Sequence, residues 1–214
     1  MQCSLRGLIL LLLLLAALAW NSAAHATVIG NPAPDIASGQ FGLGLGLSDN
    51  RETLFADIGL SDAGTLQILF GNVEFGPSTD GSEVGVGYRH KIMEAFNLGD
   101  QPVRLGILGT FRLGESDDPA VDLEFRQIDV GFGGAFTPVE KLNAFAVAIY
   151  RRIDVEGGAT VNPAGKVVGF ASDDTDIGVV VGAEFWLAEN GVLGVELHVG
   201  FDDDDFAIFG EVRF

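Results

Sequence analysis

Few residues in this chain could do acid–base or nucleophilic chemistry. Beyond residue 26 it holds two histidines, His90 and His198, and no cysteine. A nucleophile needs a base within hydrogen-bond reach, and the base needs an orienting group. His198 stands just before "FDDDD" (201–205), so an Asp–His pairing is available, and Ser172 is the serine that could approach it. No protease or deacylase motif accompanies them, and the chain reads as non-catalytic, with His198 the one exception to test. Carboxylates are more plentiful. "ESDD" (115–118), "SDDTD" (172–176) and "DDDD" (202–205) have the density that divalent cations use. None has the spacing of a defined calcium loop. Asp202, Asp203, Asp204 and Asp205 are the nearest approach to a metal site, and the favoured reading is a hydrated, repulsive surface. No cofactor is expected.

The other charges sit singly inside apolar segments, and their meaning depends on the elements that carry them. The N-terminus must first be set aside. "LILLLLLAALAW" follows Arg6, and "NSAAHA" carries an A-x-A pattern at Ala24 and Ala26. Residues 1–26 read as a cleaved signal peptide, too short in its apolar part for a comfortable anchor. Cleavage leaves 11 basic against 30 acidic residues, a formal charge of −19. That balance excludes nucleic acid as a partner, because phosphate neutralisation needs clustered Lys and Arg. The abundant Phe, Val and Ile exclude a disordered chain.

The remaining sequence alternates with period two, the signature of strands. In "FGLGLGL" (41–47), Phe41, Leu43, Leu45 and Leu47 share a face and glycines fill the other. "VGVGYRHK" (84–91) and "FAIFGEVRF" (206–214) repeat the pattern. It predicts ten strands near 38–47, 53–61, 65–75, 83–93, 102–113, 121–136, 143–155, 176–187, 192–201 and 206–214. Eight is the alternative if one hairpin is misread. Compact turns alternate with acidic loops, as an up-and-down topology requires. The division is 27–37 as a short periplasmic segment and 38–214 as an all-β, antiparallel transmembrane barrel domain.

The apolar face is nearly uninterrupted over about ten residues per strand, enough to cross a bilayer core when tilted. It is therefore placed outward, in lipid. Phe75, Tyr88, Phe111, Phe136, Phe185, Phe201, Phe206 and Phe214 fall near strand ends, as an aromatic girdle would. At this point 38–214 resembles the small outer-membrane β-barrels of Gram-negative bacteria, OmpA- and OmpX-like in general style. The resemblance implies a location in the cell outer membrane, lipid and lipopolysaccharide as surroundings, and no named subfamily. It also implies that Phe214, with Val212, Gly210 and Ile208 on its face, is the signal read by the barrel-assembly machinery. A monomer is the favoured state. The family includes proteases and lipid-A-modifying enzymes, whose motifs are not found.

Turn lengths predict hairpin registers. Leu187 facing Leu193 sets Glu184 opposite Glu196, and Phe201 facing Phe206 sets Glu196 opposite Glu211. Lys91 would face Arg104, with Arg89 one step above. An acidic lumenal wall would then face a basic one, and three readings stay open. The charges could form a salt-bridged plug. They could line a narrow porin-like pore with a transverse field, where Gly42, Gly44, Gly46, Gly85, Gly87 and Gly106 leave room for water. Or the registers could be off by two. Arg126 and Arg151 are read as lipid-facing neighbours that either snorkel to water or contact lipopolysaccharide phosphates. The long connection 156–175 is the expected surface-recognition loop.

Overall fold

The computed structural model describes residues 28–34, 36–49, 51–74, 80–117, 121–161, 166–201 and 205–214. The expected signal peptide, Phe75 and Asp202, Asp203 and Asp204 lie outside them. Ten strands are present: β1 (Phe41–Ser48), β2 (Arg51–Gly59), β3 (Gly64–Glu74), β4 (Asp80–Leu98) and β5 (Gln101–Ser116). They continue with β6 (Val121–Val139), β7 (Leu142–Val161), β8 (Lys166–Trp186), β9 (Gly191–Val199) and β10 (Asp205–Arg213). Every neighbouring pair is antiparallel, and β1 pairs with β10 to close the barrel. Ten strands hold over the alternative of eight.

Alternation settles which side faces in. Leu43, Leu45 and Leu47 on β1 are exposed, and the glycines between them face the lumen. Ile208, Val212 and Phe214 face outward in the same way, with Glu211 and Arg213 inward. No helix among the described residues is long and apolar enough to cross a membrane, a fact without bearing on strands.

Strand length departs from the sequence expectation on one side of the barrel. The described part of the connection 156–175 is strand: β7 and β8 stay paired from Leu142↔Phe185 to Val161↔Lys166. Pairing with β9 stops at Val179↔Val199, so Lys166–Gly178 pairs only with β7 and stands beyond the closed ladder. Its glycines and polar residues hid the strand, because main-chain hydrogen bonds, not apolar alternation, carry it. The compact turn expected over 94–101 is likewise mostly strand. A two-residue turn at Gly99 and Asp100 joins Leu98 to Gln101, with Gly99 at φ +66° as such a hairpin demands.

Candidate functional site in the barrel lumen

Of residues 27–37, expected as a segment ahead of the barrel, the described ones, 28–34 and 36–37, turn back into it. Val28, Ile29, Asn31, Ala33 and Ile36 are all buried. The chain passes Gly59 at Ala37 on the turn side, Gly106 at Pro32, and Gly46 at Val28. It therefore climbs inside the barrel as a strap. "VIGNPAP" suits this path, because its prolines bring no N–H that would need a partner. Three of the remaining donors are met by side chains. Glu196 accepts the N–H of Ile29 at 2.9 Å and of Gly30 at 2.5 Å, and Asn31 Oδ1 accepts the N–H of Ala33 at 2.9 Å. Val28 packs with Phe55, Leu69, Val192 and Phe209, and Ile29 with Leu108, Phe145, Val147 and Ile149.

Of the six lumenal glycines expected to leave room for water, all but Gly87 face groups that fill the space a side chain would take. A Cβ at Gly42 would overlap the Glu211 carboxylate, one at Gly44 the Phe55 ring, and one at Gly46 Val28. At Gly85 it would meet Arg112, and at Gly106 the carbonyl of Pro32. The missing side chains admit large groups from across the lumen, so packing, not solvent, occupies the place.

The predicted registers of the last two hairpins are corrected by even steps. Glu184 lies opposite Gly194, Glu196 opposite Gly182 and Ala207, and Glu211 opposite Val192. The reason is local. Gly200 bends at φ +82° and takes Phe201 out of the ladder, so the last hairpin pairs from His198↔Asp205. In the β4–β5 hairpin Lys91 lies opposite Gly106, and an irregularity at Lys91/Met93 puts Arg104 opposite Glu94. Even steps preserve the face of every side chain. Glu184, Glu196, Glu211, Arg89 and Arg104 are accordingly buried in the lumen, whereas Lys91 is half-buried.

No bare acidic wall results, because each carboxylate has its own partner. Glu184 accepts from Asn31 Nδ2 at 3.2 Å and Asn143 Nδ2 at 3.3 Å. Glu211 accepts from Arg213 at 2.8 Å, and Arg213 lies over Trp186. Arg104 donates to Asn143 at 3.4 Å. Arg89 is paired with Asp57, a residue the sequence reading did not single out.

Arg126 faces outward, as expected, but Arg151 does not join it. Arg151 is buried in the lumen, where its Nε meets Asp129 at 2.7 Å and its guanidinium lies 4.5 Å over Phe201. The segment "FAVAIYRRI" is apolar on both faces, since Phe145, Val147 and Ile149 pack inside while Tyr150 is exposed. Its periodicity could not fix its parity. Phe201 leaves the proposed girdle for the same interior cluster, whereas Tyr88, Phe111 and Phe214 are exposed.

His198 is lumenal and 3.2 Å from Glu196 Oε2, with Asp205 opposite in the ladder. Ser172 does not approach it. Val180 is the β8 residue beside His198, and Ser172 lies eight residues farther up that strand, about 26 Å away. Asp205, counted among the acidic loop residues, is buried and faces inward.

The sequence reading also missed Arg51, Glu83, Arg112 and Asp129. Glu83 accepts from Arg112 at 3.0 Å and meets Arg51 at 3.3 Å. Alternation held the signal, because Arg112 falls between outward Phe111 and Leu113.

No family model matches the chain, and no curated protein matches it. Among solved structures it is similar to Ail, the attachment invasion locus protein of Yersinia pestis, at 15% identity and a TM-score of 0.43, over 83% of this chain and 99% of that one. It is similar to OmpT, an outer membrane protein of Vibrio cholerae, at 14% identity and a TM-score of 0.28, over 90% of this chain and 71% of that one. A porin of Rhodopseudomonas blastica follows at 9% identity and a TM-score of 0.23, over 82% of this chain and 98% of that one. The barrel itself rests on this chain's own closed ladder of ten strands.

Proposed function

We propose that this chain is a β-barrel of the bacterial outer membrane with a structural or surface-interaction role, its lumen sealed by its own N-terminal strap. The burial of Val28–Pro34 inside the barrel carries the reading. The outward face supports the location, because Leu45, Val86, Phe111, Val130 and Phe132 are exposed on a closed sheet that only a lipid phase would cover favourably. Outward Phe214, stacked on Phe41 at 6.5 Å, suits recognition by the assembly machinery. The β7–β8 hairpin beyond the ladder offers the surface for a partner, and Arg126 remains available to lipopolysaccharide. The reading is non-catalytic and monomeric, supported by the separation of Ser172 from His198 and by a ladder closed on itself.

A narrow channel is the second reading, and it requires the strap to leave, since Val28 and Pro32 occupy the clearance at Gly46 and Gly106. Two single-cysteine variants test the seal in membrane-embedded protein. Val28→Cys should resist a water-soluble maleimide, and Ser38→Cys, at an exposed position, should react. Equal labelling of both would remove the strap from the lumen and the reading with it.

A further inference from the structure

The strap hydrogen-bonds to Glu196 and Glu184, but a second set of buried charges lies on the opposite wall toward the loop end. It is one linked chain of side chains from five strands. Arg112 donates to Glu83, Glu83 also meets Arg51, and Arg51 reaches Gln127 Oε1 at 3.5 Å. Gln127 Nε2 donates to Asp129 at 2.7 Å, and Asp129 accepts from Arg151 Nε at 2.7 Å. The two ends of the chain are therefore both guanidinium groups. They sit on β5 and β7, directly opposite Gln127 and Asp129 of the intervening β6.

Both ends carry unsatisfied donors, and Glu83 Oε2 within the chain is an unsatisfied acceptor. Arg112 Nε and Nη2 and Arg151 Nη2 are buried and have no hydrogen-bond partner among the described residues. Their side chains are 1% and 4% exposed, so water outside does not serve them. Phe201 covers the Arg151 plane. Three enclosed guanidinium groups face two enclosed carboxylates, Glu83 and Asp129. Half-buried Asp176 lies opposite Arg151 on β8, and further acids line the rim around Arg51. Two like charges held near each other with free N–H groups call for an acceptor that carries negative charge between them. A guanidinium fork matches the paired oxygens of an oxyanion.

We propose that the upper lumen binds a small oxyanion between Arg112 and Arg151, closing the chain of side chains into a ring. The acidic residues at the loop end, among them Asp49, Glu52, Glu74 and Asp80 around Arg51, screen out large polyanions and favour a small one.

The test uses the folded barrel in detergent micelles. Unfolding temperature and calorimetric binding are followed against sodium phosphate, sulfate, acetate and chloride at equal ionic strength. Phosphate or sulfate should raise the unfolding temperature saturably, and chloride should not. A response to acetate instead would identify the ligand as a carboxylate of the same oxyanion class. Arg112→Gln should weaken binding by about tenfold or more, since it removes one fork. Glu83→Gln removes a negative charge beside Arg112 and should tighten binding. If Arg112→Gln does not fold, Arg151→Lys keeps the charge, loses the fork and should weaken binding instead. Equal shifts from all four salts, or binding unchanged in Arg112→Gln and Arg151→Lys, would overturn the proposal.

Discussion

Glu196 on β9 accepts two consecutive backbone N–H groups of the strap, those of Ile29 and Gly30. A side chain from the wall thus takes the place of a neighbouring strand for a segment that has none. Glu196→Gln keeps the shape but loses the charge and one acceptor oxygen. It should destabilise the folded barrel by about 1–3 kcal/mol, the range for leaving a buried backbone donor poorly met. Urea unfolding of wild type and variant measures the difference. Equal stability would show that Glu196 does not hold the strap.

Gly46 faces Val28 closely enough that a Cβ would overlap it. Gly46→Val should displace the strap at a cost of about 1–3 kcal/mol, the usual penalty of overpacking. A cysteine at position 28 should then become reactive in the Gly46→Val background. Continued protection would mean that the strap can shift without leaving.

Arg89 and Asp57 form a buried pair near the turn side. Arg89→Ala strands the Asp57 carboxylate and should cost about 3–5 kcal/mol, whereas Arg89→Met with Asp57→Asn should recover much of it. Heat-modifiable mobility read across a temperature series ranks the three proteins. A single variant as stable as wild type would contradict the pairing.

Much of this molecule was legible in its sequence. Period-two alternation placed all ten strands and gave the correct inward face to Glu184, Glu196, Glu211, Arg89 and Arg104. It failed where its physical basis failed. Arg151 was misplaced because both faces of β7 are apolar around it, one face for the interior cluster and one for the exterior. The upper β7–β8 hairpin was read as a loop because its strands pair without an apolar face. The strap left the weakest trace. "VIGNPAP" has no period, and its fit depends on Gly46 and Gly106, far along the chain, being small. Those same glycines, taken alone, read as space for water.

Phe214 is exposed on the outward face at the end of the closing strand and stacks on Phe41. Phe214→Ala should reduce the amount of protein reaching the outer membrane while changing the stability of the purified, refolded barrel by only about 1 kcal/mol, as befits a ring left largely exposed to the surroundings. Quantifying folded protein in membrane fractions checks this. Undiminished assembly would remove Phe214 as a targeting residue.

The seal is tested most directly by single-channel recording in planar bilayers. Wild-type protein should show no sustained openings, and a variant lacking residues 28–36 should show steady ones, because it opens the clearance at Gly46 and Gly106. Sustained conductance in wild type equal to that of the deletion would contradict a lumen closed by its own N-terminal strap.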